Sequence, residues 1–248
     1  MKKNFIKERK QSRGQQEWYL LNFLRNLARA AKLMHACLRQ MNTDKMMIDE
    51  AKRNYIIAMT SSLETFYHDL FIYVLEKDRS LLEDILGDIK DKPTFAEIHT
   101  LLKDGVSFPE IAASMVKFQS IEELDRSLSK LFPPQGYLKT LDTYEHICAI
   151  PSRTSDLVIM TMPEDWGKDF SDLFKNRHAF VHDANLACDI AGRQMAKLET
   201  LVLQIAQFTS GLITKRYYGE ALLTEKGVPA FLIIEDLISD DWEVVEDE

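Results

Sequence analysis

The chain has 248 residues, 46% of them hydrophobic and 28% charged, a balance that excludes collagen-like, low-complexity and wholly disordered classes. Glycine and proline number only 9 and 7, about half their usual share, so turns are few and regular elements long, which favours helices. A net charge of −8 excludes a protein that coats nucleic acid with its whole surface.

That charge is unevenly placed. Residues 1–13 hold six Lys/Arg against one Glu, whereas residues 235–248 hold eight Asp/Glu and no base. Solubilising ends are the plain reading of both. The sharper readings are a basic arm that touches RNA, or an acidic tail that covers a basic site until substrate displaces it. The opening MKKNFIKERKQSRG has no apolar stretch after its basic start, and no run approaches ~18 apolar residues, so neither a signal peptide nor a membrane span is expected. Cys37, Cys148 and Cys188 are an odd number with no CxxC spacing, which argues against a disulfide framework or a zinc ribbon and for a reducing cytoplasm.

In chain order, residues 15–41 place Leu20, Leu24, Leu27, Ala31, Met34, Leu38 and Met41 at alternating spacings of four and three, the stripe of an amphipathic helix. Its other side carries Arg25, Arg29, Lys32 and Arg39, with no acidic residue from Trp18 to Thr43. These cations are either a solvated face or a ridge that tracks phosphates. A second helix is predicted from about Asp44 to Lys77, striped by Tyr55, Met59, Leu63, Phe66, Leu70 and Tyr73. In it Glu64 and His68 stand four apart, either as a surface pair or with the carboxylate set toward a buried cation.

From Arg79 to Met162, Gly87, Pro93, Gly105, Pro109, Pro133, Pro134 and Pro151 break the pattern into short pieces, read as short helices inserted in a bundle. One start is marked by Ser120 followed by Glu123, a capping-box pair. Pro163, Glu164 and Asp165 supply the start of a helix running to about His182, with Pro in the first turn. After Asp183, Ala184 and Asn185 another long helix carries Ala191, Met195, Leu198, Val202, Ile205 and Leu212, completing a helical hairpin. Residues 228–238 read as a short helix or strand. The expectation is an all-α fold, a bundle of four or more long helices with a short-helix insertion. Its parts are a basic arm (1–14), a helical domain (15–218, with 79–162 inserted) and a C-terminal segment with an acidic tail (219–248).

The chemistry concentrates on the helix after Pro163. At about 100° per residue, Trp166, Phe170, Leu173, Phe174, Phe180 and Val181 fall in one sector, and Arg177 falls in its middle. A guanidinium cannot escape its charge by losing a proton, so it needs a carboxylate, carbonyls or an anionic ligand there. His178 and His182 share a face on the rim of that sector, and the carbonyl end of the helix favours an imidazolium at His182. An ordinary salt bridge from Arg177, with Glu64 as candidate partner, and histidines that merely cap the helix form the competing account. The HxxxH spacing also suits zinc, but no HExxH glutamate follows His178 and no third ligand is spaced for it. Gly-rich phosphate loops, a GxSxG elbow and a Cys with a spaced His partner are all missing from the sequence.

The stretch KNRHAFVHDAN, Lys175 to Asn185, resembles the signature of the HEPN superfamily: an Arg, a polar residue, three further residues and a His, here Arg177, His178, Ala179, Phe180, Val181 and His182. SSLETFYHDLF, residues 61–71, resembles the helix preceding the insertion in bacterial members, and the likeness extends over roughly residues 15–215. The resemblance implies an up-and-down bundle paired as a homodimer through the motif helices. It also implies metal-independent endoribonuclease activity without a cofactor, of the kind used by toxins and defence effectors, with an antitoxin or other regulator as a further partner. Arg177 and His182 would be the catalytic pair and His178 the intervening polar residue. Arg25, Arg29, Lys32 and Asn176 are candidate substrate contacts, and Glu64 a supporting carboxylate. Two other classes compete: a non-catalytic nucleotide-binding or protein-interaction module with the same fold, and a metal enzyme built on His178 and His182.

Overall fold

The two apolar repeats of the first third fold as α1 (Tyr19–Gln40) and α2 (Lys45–Lys77). The computed structural model describes residues 19–40, 44–88, 94–150, 153–183 and 185–218, with the backbone path alone for 86–88, 147–150 and 153–158. The basic arm, Met41 and everything from residue 219 onward lie outside the described residues. In chain order there follow α3 (Arg79–Asp88), α4 (Phe95–Lys103), α5 (Phe108–Met115), α6 (Ile121–Leu128), a 3-10 turn (Ser129–Leu131) and α7 (Tyr137–Asp142). Strands β1 (His146–Ile150) and β2 (Arg153–Met160) come next, then α8 (Trp166–His182) and α9 (Gly192–Tyr218). The fold is all-α in class, with one two-stranded antiparallel hairpin among the described residues. The chain divides into two compact units, Met1–Phe23 with Glu64–Tyr137, and Leu24–Leu63 with Leu138–Glu248.

α1 buries Tyr19, Phe23, Leu27, Ala31, Met34 and Leu38. From Leu27 onward this is the expected stripe, but at its start Tyr19 and Phe23 take the inward positions and Leu20 and Leu24 are only half-buried. Aromatic packing explains the rotation. In the first unit the Tyr19 ring meets Phe66 and Tyr73 at 5.7 and 5.5 Å, and Phe23 meets Phe66 at 5.5 Å, contacts that bury more area than leucine can. All six stripe residues of α2 are buried as the spacing predicts. Ile56, Thr60, Tyr67, Phe71, Ile72, Val74 and Leu75 are buried too, so this helix is enclosed on nearly every side.

The short helices of the first unit are held by their ends. Thr94 with Glu97 and Ser107 with Glu110 form reciprocal capping boxes at α4 and α5, and Ser120 accepts from the Glu123 N–H at α6. Each such cap contributes about 1 kcal/mol to a helix too short to stand alone. Beneath them Leu101, Val106 and Ile111 form a small core with Ile98 and Met115. Tyr67 and Tyr137 share a hydroxyl–hydroxyl hydrogen bond of 2.8 Å in the interior of the same unit.

Residues 146–160 depart from the expectation of short helices throughout 79–162. The hairpin pairs His146 with Met160 and Ile150 with Arg153. Its cause is legible in the residues: Ile147, Ile150, Val158 and Ile159 are β-branched and flank the break at Pro151, a hairpin composition rather than a helical one.

In the second unit, α9 is buried without interruption from Leu201 to Ile213. Of its predicted stripe, Met195, Leu198, Val202, Ile205 and Leu212 are buried, whereas Ala191 is exposed because the helix begins only at Gly192. The hairpin base packs on this helix. The His146 ring lies 5.1 Å from Phe208, its Nδ1 is 3.5 Å from the Tyr144 hydroxyl, and both groups crowd Gly211. A Cβ at residue 211 would come within 2.8 Å of the Tyr144 hydroxyl and 2.9 Å of His146 Nδ1, so the backbone approach requires glycine.

Candidate functional site

Pro163 is not in the first turn of α8, contrary to expectation. Asp165 adopts a left-handed conformation (φ 59°), which a right-handed helix cannot continue through, so residues 163–165 form a turn and α8 starts at Trp166. The Trp166 N–H donates to the Pro163 carbonyl at 3.3 Å, and the Lys168 and Asp169 N–H groups to that of Asp165 at 3.0 and 3.3 Å.

The N-terminal half of α8 is tied down by polar contacts at its rim. The Trp166 indole N–H donates to Asp142 Oδ1 at 2.9 Å, and Lys197 on α9 reaches Asp169 Oδ2 at 2.6 Å. Trp166, Phe170, Leu173, Phe174 and Phe180 are buried as the helical wheel predicts, with Phe170 and Phe174 in ring contact at 5.1 Å. Val181 is not; it is 48% exposed, because it lies in the last turn and projects past the end of the packed surface.

Arg177 is correspondingly half-buried rather than enclosed as its place in the sector predicts, with its Nε out of contact with solvent. His178 and His182 are both exposed, and their rings lie 4.4 Å apart. The one-face placement of the two imidazoles is thus as the spacing requires. Asn176 is half-buried on the same helix. Arg25, Arg29 and Lys32 share the exposed face of α1. Glu64 is half-buried on α2 and belongs to the first compact unit, while Arg177 belongs to the second.

A residue that sequence reasoning passed over holds the end of the motif helix. Arg53 of α2 is buried, and its Nη2 donates to the carbonyls of Phe180 and Asp183, each at 3.2 Å. Its guanidinium carbon stands 5.8 Å from the centre of the Phe180 ring, and its Nη1 is 3.1 Å from Glu50 Oε2. A fixed cation against the last carbonyls of a helix satisfies acceptors that have no partner within the helix. Asp49, Glu50 and Lys52 around it read as ordinary solvated charge, so only the fold distinguishes Arg53 from its neighbours.

Polar groups elsewhere in this unit are buried. Burial of the Tyr55 hydroxyl, with the charge of the nearby Glu199 carboxylate second, pushes its ionisation far above the usual tyrosine range. Burial holds His146 at about 4, below its ordinary 6.5, and so neutral. Burial likewise raises the Cys188 thiol, which therefore carries little thiolate.

No cluster of three or more His, Cys, Asp or Glu able to hold a metal ion is present among the described residues, nor is any described helix long and apolar enough to cross a membrane. The exposed end of α8 thus presents two imidazoles to solvent, with the half-buried Arg177 immediately before the first of them in the chain. Comparison with known proteins returns no matching family model, no similar curated protein and no similar solved structure.

Proposed function

We propose that the chain is a metal-independent endoribonuclease of the HEPN type acting through Arg177, His178 and His182. The observation that carries this reading is the exposed imidazole pair, 4.4 Å between ring centres, on the turn after a half-buried arginine. In the proposed reaction the 2′-OH of RNA attacks the adjacent phosphorus while a base takes its proton. The 5′-oxygen leaves with a proton from an acid, giving a 2′,3′-cyclic phosphate and a 5′-OH. His182 is the base or the acid, and Arg177 offers a forked donor to the non-bridging oxygens as charge builds on the phosphorane. The complementary proton role falls to His182 of a second copy in a homodimer formed through the motif helices, an arrangement that the exposed Val181 beside the histidines favours. In such a dimer two Arg177 side chains would line one cleft suited to a polyanion. A toxin or defence role, with a regulatory partner, fits this chemistry.

The test is cleavage of total RNA by purified protein in EDTA. Fragments ending in cyclic phosphate, lost with His182→Ala, are the expected result. Binding without turnover over a wide range of pH and concentration would replace the nuclease with a non-catalytic module. Activity that appears only with added metal would replace it with a metal enzyme.

A further inference from the structure

Several cations of the second unit are held by carboxylates. Arg53 pairs with Glu50, Lys168 and Lys175 with Asp172, and Lys197 with Asp169. Arg25, Arg29 and Lys32 are all exposed and face no carboxylate among the described residues. They repeat at helical spacing over about 10 Å of α1, on a helix with no acidic residue at all. In a chain with 39 Asp/Glu against 31 Lys/Arg, such a strip is an outlier that calls for an anionic occupant. Leu33, 67% exposed, flanks it and adds an apolar contact.

We propose that this strip of α1 is the docking surface for the chain's own residues 235–248, which hold it against other polyanions. The complement is of charge and of type. That segment carries eight acids, and between them Trp242, Val244 and Val245, which suit the exposed Leu33. Reach is sufficient. Tyr218 closes α9 in the same compact unit as the strip, and the intervening residues 219–234 span about 50 Å when extended, more than the ~30 Å diameter of a small domain. Tethering supplies an effective concentration in the mM range, so a segment that binds with a dissociation constant of only ~0.1 mM lowers access to the strip about tenfold. A polyanion with several phosphates in a row displaces it, and rising salt weakens both contacts. This inference does not depend on the nuclease reading.

The experiment measures binding of a short labelled oligodeoxythymidine, a polyanion without a 2′-OH, by fluorescence anisotropy at low salt. Four full-length chains are compared: the wild type; a chain with the eight acids of 235–248 changed to Asn or Gln; the triple variant Arg25→Gln, Arg29→Gln, Lys32→Gln; and their combination. The expected result is about tenfold tighter binding when the acids are neutralised, and loss of that gain in the combination. An equal gain in the combination would mean that net charge alone is at work and would overturn the proposal, as would no gain. Zero-length carbodiimide coupling gives an independent readout. Cross-links from Lys32 to residues 235–248 within one chain are expected; cross-links only between chains, or only to other carboxylates, would contradict the proposal.

Discussion

Two places in the second unit hold histidine in opposite circumstances. His146 is 1% exposed, wedged between Tyr144, Phe208 and Gly211, and burial keeps it neutral. His178 and His182 stand in solvent on the last turns of α8, one ring against the other. The same side chain serves packing in the first place and is available for proton transfer in the second. Burial decides which, because a proton can be exchanged with substrate only where substrate can reach. The account therefore predicts that the two sites separate in experiment: changes at the end of α8 cost activity and little stability, and changes around His146 cost stability.

The largest expected effect is on activity. His182→Ala should lower the RNA cleavage rate by 10²-fold or more, the range for removing a general acid or base, while its thermal midpoint stays within that of a surface change, about 0.5 kcal/mol. Cleavage kinetics and a melting curve on the same preparation read both. Next comes a stability effect with a defined pH window. The folded chain holds His146 at about 4 and the unfolded chain near 6.5, so the unfolded state binds the extra proton between those values. The histidine's contribution is complete above pH 6.5 and is lost as pH falls toward 4, amounting to roughly 3 kcal/mol. Urea unfolding at pH 7 and 4.5 should show a smaller loss for His146→Gln than for the wild type; parallel losses would remove His146 from the account.

A third change probes the boundary between the two sites. Arg53→Ala should cost about 2 kcal/mol, because two carbonyls lose a charged donor, and should speed amide exchange in the last turn of α8. The activity it loses should return in part with Arg53→Lys, which keeps the charge and loses the fork. The smallest effect is expected at the other end of the helix. Asp165→Gly relieves a left-handed conformation at a residue with no side-chain cap bond and should raise stability by up to about 0.5 kcal/mol, read as a small increase in melting temperature.

Legibility in the sequence followed the same division between repeated and singular features. α1, α2, α8 and α9 are readable because helical periodicity repeats a signal over many residues; the departures cluster toward the ends, at Leu20 and Leu24, Pro163, Val181 and Ala191. The hairpin carried its β-branched residues in plain view, but Pro151 reads equally as a break between short helices. At the candidate site, the shared face of His178 and His182 follows from spacing alone. The half-exposure of Arg177 does not, because spacing gives direction around the helix and says nothing of where packing stops along it. The role of Arg53 was illegible for a different reason: besides Glu50, it bonds backbone carbonyls more than a hundred residues away, and carbonyls leave no mark in a sequence.

The most direct test of the central claim sets a short end-labelled RNA and its DNA counterpart side by side in EDTA, with the wild type and Arg177→Ala. The account predicts that the wild type cuts RNA to cyclic-phosphate ends and leaves DNA intact, and that the variant cuts neither while folding normally. Cleavage of both strands, or undiminished RNA cleavage by Arg177→Ala, would contradict it.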